Sequence, residues 1–302
     1  MPRKVAIIGA GRLGSSLARL FRRSGANVAL WDQDPAKVPH QRSLTEVVSP
    51  ADTVFFCIPS FALEDSLKSV KTFLRKRCVV VSPIKGIDRK TGITTVEIVN
   101  KFLPGQPFAM LGGPLIAEEL DKGLGGTAVV ASREIKIARR VGALFKGSGA
   151  NVVYSTDVRG VVLAGILKNA YALSLGIAEG LGWGMNLRGS LIAQALLEMQ
   201  IFLYAAGGKP ETAIGDAGLG DLIATGFSHN SRNHQVGIQL AKGKNPRFKG
   251  EGGLSLPSLL ALVKRGKKSL SVFPLLSATA LVVAKRSTAR KAFQQFRTHG
   301  KA

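Results

Sequence analysis

The chain has 302 residues, 45% of them apolar, with 42 Lys+Arg against 19 Asp+Glu and a net charge of +23. That length suits one large domain or two of ordinary size, and the apolar fraction supplies a core, which excludes disorder as the main state. Two cysteines make neither a disulfide scaffold nor a zinc cage, and the four histidines lack metal-ligand spacing, so no metal site is expected.

In chain order, the first half alternates short β-branched runs with longer mixed segments. The runs fall at 5–9, 27–31, 53–58, 78–82, 108–111, 127–131 and 151–155. Continuous apolar runs of this length predict strands buried on both faces, and Cys57 and Cys78 lie inside two of them as structural thiols. Between the first two runs, Leu13, Leu17, Leu20 and Phe21 share one face of a predicted helix over 13–24. Strand–helix–strand alternation predicts a mostly parallel sheet covered by helices.

After residue 155 the character changes. Segments 161–181 and 187–206 are apolar over helical lengths, and shorter helices are predicted around 230–242, 255–265 and 273–285. The fold class is therefore α/β: a Rossmann-like doubly wound sheet over 1–155, then an all-helical domain over 156–302. The apolar run at the N-terminus is broken by Arg12 and reads as a strand and turn instead of a signal peptide. The uncharged stretch 269–284 is short for a membrane span and contains Pro274. A cytoplasmic location is expected.

Gly9, Gly11 and Gly14 form a GxGxxG turn between the first strand and the first helix. The first glycine permits the tight turn, the second lets backbone approach a pyrophosphate, and the third lets helix and strand pack closely. Asp32 directly follows the second run, where a carboxylate meets the adenosine ribose hydroxyls, which leans the choice toward NAD over NADP. Asp32 and Asp34 also suit simple punctuation of a DQDP turn.

In the second half, Lys168 and Asn169 sit inside the apolar segment, so the lysine either snorkels or faces a polar cleft as an acid/base. Asp221 and Thr225 are four apart and share a face if helical. Ser231 or Asn230 can cap a new helix with Arg232 and Asn233 in its first turn, a good anion clamp.

These motifs together resemble the NAD(P)-dependent glycerol-3-phosphate dehydrogenase family in its bacterial-type form. The matching residues are GAGRLG at 9–14, LW at 30–31, CIPS at 57–60, SPIKGI at 82–87, GGPLIAEE at 112–119, LKNAYALSLGIAEGLGWGMN at 167–186, LLEM at 196–199, GLGDLIATGFSHNSRN at 218–233 and GEG at 250–252. The resemblance implies reduction of dihydroxyacetone phosphate to sn-glycerol 3-phosphate, the headgroup precursor of phospholipids, by a homodimer. It implies that Lys168 donates the proton as hydride arrives and that Lys85 is the second active-site lysine, while Asp221 orients a lysine. Substrate contacts would then come from Lys85, Gly113, Lys168, Asn169, Asp221, Thr225, Arg232 and Asn233. Cofactor contacts would come from Gly9, Gly11, Arg12, Leu13, Gly14, Asp32, Pro59, Lys85, Ala117, Arg232 and Glu251, with NAD or NADP bound.

The chain departs from the family pattern where the usual GPS reads Gly113-Pro114-Leu115, removing a hydroxyl, and where Gly226 replaces a cysteine. Arg12-Leu13 inside the glycine turn and Asp32-Gln33 after LW also depart from it, leaving cofactor choice open. Two other readings fit parts of the sequence: a ketopantoate- or hydroxyacid-type reductase on the same plan, and a non-catalytic nucleotide- or nucleic-acid-binding protein. The ten Lys or Arg and no acid after Glu251 motivate the latter. The aromatics are not interleaved with the basic clusters, so no nucleic-acid partner is expected, nor membrane contact by the basic tail. The charge reads instead as a solvated surface that attracts a dianionic substrate.

Overall fold

The computed structural model describes residues 2–88, 91–228, 230–246, 250–266 and 269–298. The chain folds as two compact units, Met1–Asp88 with Ile93–Val162, and Arg89–Gly92 with Leu163–Ala302.

The first unit is built on seven strands: β1 (Lys4–Ile8), β2 (Asn27–Trp31), β3 (Thr53–Phe56), β4 (Val79–Ser82), β5 (Phe108–Gly112), β6 (Gly126–Ala131) and β7 (Ala150–Ser155). Their spatial order is β2-β1-β3-β4-β5-β6-β7. The first five run parallel, with Val5 paired to Val28 on one side and Thr53 on the other. β1 therefore has its successors on both sides, and the crevice at its carboxyl end is the switch point where open α/β sheets bind ligands.

Period-two alternation sends successive side chains of the inner strands β1, β3, β4 and β5 to opposite faces, and both faces are buried. Val5, Ile7 and Phe55 point to one layer, where Leu17, Leu20 and Phe21 of the first helix, Arg12–Arg23, cover them. The Phe21 ring centroid lies 5.1 Å from those of both Phe55 and Phe145. Ala6, Ile8, Val54 and Phe56 point to the other layer, against Leu63, Leu67 and Val70 of the helix Leu63–Val70 and against Ile98 and Val99 of Thr95–Phe102.

Two features differ from the reading of the sequence. β6 is antiparallel to β5, and β7 is parallel to β6, so the last two strands run against the first five. β7 is also an edge strand: Val153 and Tyr154 are each 41% exposed, and the expected burial on both faces does not occur. An apolar run reports β propensity; only the neighbours decide whether both faces are covered.

The second unit is helical. Its principal helices are Val158–Gly180, Met185–Ala205, Asp221–Gly226, Arg232–Ala241, Gly250–Arg265 and Pro274–Val283. Val158–Gly180 begins in the first unit and continues into the second. By length and mean hydropathy it is apolar enough to cross a bilayer, but its whole apolar window is buried inside the protein, as in a core helix. It is held by polar contacts as well: Ser174 Oγ and Thr279 Oγ1 are 2.6 Å apart. Glu198 of Met185–Ala205 is fully buried and accepts hydrogen bonds from Tyr171 Oη (3.0 Å), Gln194 Nε2 (2.9 Å) and the backbone N–H groups of Leu275 (2.7 Å) and Leu276 (3.0 Å). It thus satisfies two of the open donors at the start of Pro274–Val283, as a cap does, from a different helix. Burial raises its pKa above the ordinary glutamate value, outweighing the four donors that pull it down.

Candidate active site

In the first unit, β1 feeds the glycine turn, and the three glycines have separable reasons. Gly9 has φ +104°, and a Cβ there would lie 2.3 Å from Cys57 O. At Gly14 a Cβ would lie 1.9 Å from Gly9 O. The fold itself forbids a side chain at both. Gly11 has an ordinary φ of −69°, and a Cβ built on it meets no protein atom within 4 Å. It lines a cleft of about 800 Å³ at the carboxyl ends of β1, β2 and β3, together with Gly9, Trp31, Asp32, Cys57 and Pro59. Space that the fold leaves open above a glycine, at the start of a helix, fits the backbone approach of a pyrophosphate.

Asp32 anchors this turn. Its Oδ2 accepts the Ala10 N–H at 2.7 Å, and its Oδ1 accepts the Asp34 N–H at 2.9 Å and Lys37 Nζ at 3.2 Å. Burial opposes its charge, but these donors prevail and hold the carboxyl below its ordinary range. Asp34 does serve the turn, accepting the Ala36 N–H at 3.1 Å as the cap of a short helix, Pro35–Lys37. Cys57 lines the cleft, yet desolvation pushes its thiol up to about 12, so it is no nucleophile at neutral pH.

The other residues read from the first half lie around this framework. Arg12 donates to Glu118 Oε1 at 2.9 Å, and Leu13 packs on the core. Ala117 opens the helix Ala117–Asp121, and its carbonyl accepts Ser16 Oγ at 3.2 Å. Gly113, directly after β5, has φ +86°, and a Cβ there would lie 2.3 Å from Thr127 O, which is a sufficient structural reason for that glycine. Lys85 is half-buried on the loop after β4. Thr95 Oγ1 donates to Ile84 O at 3.0 Å and fixes this loop, and Gly86 lies so close to Ser60 that a Cβ would meet it at 2.3 Å.

In the second unit, Lys168 neither snorkels nor stands alone. It is 6% exposed, with Nζ 2.9 Å from Asp221 Oδ1 and 2.8 Å from Thr225 Oγ1. Asp221–Gly226 is helical, so Asp221 and Thr225 do share a face, and Thr225 Oγ1 donates back to Asp221 Oδ1 at 3.2 Å. The ammonium is thus held between a 3%-exposed carboxylate and a hydroxyl, an arrangement that fixes its direction. One residue on, Asn169 Oδ1 accepts Asn233 Nδ2 at 3.0 Å, and Asn233 Oδ1 accepts the Gly252 N–H at 3.0 Å. Ser231 caps Arg232–Ala241 by accepting the His234 N–H at 3.3 Å, which leaves Arg232 exposed in the first turn. Glu251 is half-buried in Gly250–Arg265, beside Gly252.

The comparisons with known proteins agree along the chain. A model described as NAD-dependent glycerol-3-phosphate dehydrogenase C-terminus matches residues 157–294, and the corresponding N-terminus model matches 35–138. Residues 4–49 also match a 3-hydroxyacyl-CoA dehydrogenase, NAD binding domain. A glycerol-3-phosphate dehydrogenase [NAD(P)+] of Chlorobium limicola is 36% identical over 80% of each chain. The chain belongs to the NAD-dependent glycerol-3-phosphate dehydrogenase family. A second member, from Rhizobium etli, is 34% identical over 99% of this chain and 98% of its own. The crystal structure of a glycerol-3-phosphate dehydrogenase from Coxiella burnetii superposes with a TM-score of 0.86 at 26% identity, covering 99% of both chains.

Two residues of the cleft escape a reading of sequence alone. Phe61 stands at its wall 82% exposed, and Lys37 is the one basic residue among the described residues that line it. Lys37 carries a weak signal, a lysine five residues after the carboxylate that follows β2; Phe61 carries none.

Proposed function

We propose that this family member interconverts dihydroxyacetone phosphate and sn-glycerol 3-phosphate with NAD(P)H, as a cytoplasmic homodimer that supplies glycerol 3-phosphate for phospholipid synthesis. The observation that carries the reading is the buried Lys168–Asp221–Thr225 group, set in a chain whose curated relatives are named for this reaction.

The cleft beside Gly11 holds the dinucleotide, which supplies the hydride when bound. Asp221 and Thr225 aim the Lys168 ammonium, so that its proton goes to the carbonyl oxygen as negative charge grows there. The resemblance gives Lys85, on the loop after β4, the role of a second active-site lysine. Arg232, with the amide donors of its helix start, takes the phosphate and supplies binding energy remote from the reacting carbon. Asn169 belongs to the substrate surface; Asn233, bonded to Asn169 and to the Gly252 backbone, keeps that surface in register.

The test is dihydroxyacetone-phosphate-dependent oxidation of NADH and NADPH by wild type and Lys168→Ala, with nucleotide binding measured alongside. Loss of turnover by about a hundredfold or more in a variant that still binds nucleotide is the expected result. A folded wild type that binds nucleotide but turns over ketopantoate, and not the triose phosphate, would overturn it.

A further inference from the structure

Asp32 stands where a carboxylate usually meets the ribose 2′-hydroxyl and turns away a 2′-phosphate. In this chain both of its oxygens are already engaged from within: the Ala10 N–H on Oδ2, the Asp34 N–H and the Lys37 ammonium on Oδ1. Its side chain is 12% exposed, against 50% for Lys37. Asp32 is therefore first an anchor of the glycine turn, and Lys37 covers the charge that remains. The same ammonium lies 4.0 Å from Asp34 Oδ2. Arg12, inside the turn, pairs with Glu118 at 2.9 Å.

From this geometry we propose that Lys37 sets cofactor breadth: it is the residue through which the ribose end of the cleft takes a 2′-phosphate. The inference rests on the reading of the cleft as the dinucleotide site. With Lys37 over Asp32, a 2′-hydroxyl meets a locally neutral surface. A 2′-phosphate instead draws the half-exposed ammonium a short way off Asp32 into a charge-assisted hydrogen bond, while the two backbone donors keep the Asp32 carboxylate satisfied. Without Lys37, Asp32, Asp34 and Asp65 would leave the described lining with acids alone, and a 2′-phosphate would meet repulsion. The charge that excludes NADP in many such sites is thereby neutralised without being removed.

Calorimetric titration of wild type, Lys37→Ala and Lys37→Arg with adenosine 2′,5′-bisphosphate and with adenosine 5′-monophosphate tests this without turnover. The expected result is a loss of about tenfold or more for the bisphosphate in Lys37→Ala, the size of one charge-assisted hydrogen bond. The monophosphate should change less than about twofold, and Lys37→Arg should restore most of the bisphosphate affinity. Equal losses for both probes, or no loss for either, would overturn the role of Lys37. Failure of both probes to bind wild type would instead overturn the reading of the cleft, and the proposal with it.

Discussion

Alanine at Gly9, Gly11 and Gly14, one substitution at a time, separates what the fold requires from what a ligand requires. At Gly14 the added methyl falls 1.9 Å from Gly9 O, and at Gly9 it falls 2.3 Å from Cys57 O with the backbone in the left-handed region. Each should cost about 2–3 kcal/mol or more in urea unfolding, the scale of overpacking with backbone strain. Gly11 meets nothing of the protein, so Gly11→Ala should leave stability within about 0.5 kcal/mol. Its nucleotide affinity should nevertheless fall by about tenfold or more, because the methyl occupies the approach of the pyrophosphate. A Gly11→Ala protein that binds nucleotide as wild type would show that the open space above the turn is not used. Lys168 shows a different kind of constraint: its partners Asp221 and Thr225 come from a helix more than fifty positions away, and removing either member of so buried a pair takes from the other its ion-pair partner.

Glu198 makes the corresponding argument for elements, since it ties Val158–Gly180, Met185–Ala205 and Pro274–Val283 through one carboxylate. Four donors converge on it, so the amide of Glu198→Gln would set an N–H against an N–H. A loss of about 1–3 kcal/mol at neutral pH is expected from the mispaired buried group. Its folded pKa is raised above the ordinary 4.5 because desolvation disfavours the charged form. A raised carboxyl contributes stability that is fully present below the unfolded pKa and lost as pH rises through the folded one. Wild type should therefore gain on Glu198→Gln as pH falls from neutral toward 4.5, in paired urea melts; a gap that stays constant or narrows would contradict this. All seven strands were legible in the sequence to within two residues, because β-branched runs bounded by turn residues leave little choice of period. The direction of β6 and the exposure of β7 were not, since both depend on partners that a run of residues does not specify. In the site, Asp221 and Thr225 were legible through their helical spacing, and Ser231 as a cap. Glu198 lies in the LLEM segment, and nothing local marks that glutamate as the cap of a helix some seventy-five residues later.

For the whole molecule, the +23 charge bears on how an anion arrives more than on how the chain folds. A basic surface raises the local concentration of a dianionic substrate, and salt screens that attraction over about 10 Å at 0.1 M. The Michaelis constant for dihydroxyacetone phosphate should thus rise several-fold between low and moderate ionic strength while kcat holds. A constant independent of salt would assign the charge to solubility alone. The buried helix Val158–Gly180 has a consequence of another kind, in the order of synthesis. The groups that cover its polar positions, from Glu198 and Asp221 through Asn233 to Thr279, are all translated after it, the last of them some hundred residues later. The most membrane-like helix among the described residues therefore leaves the ribosome with its cover still unmade. Until the last hundred residues follow, its apolar surface stays uncovered, the condition under which folding intermediates aggregate.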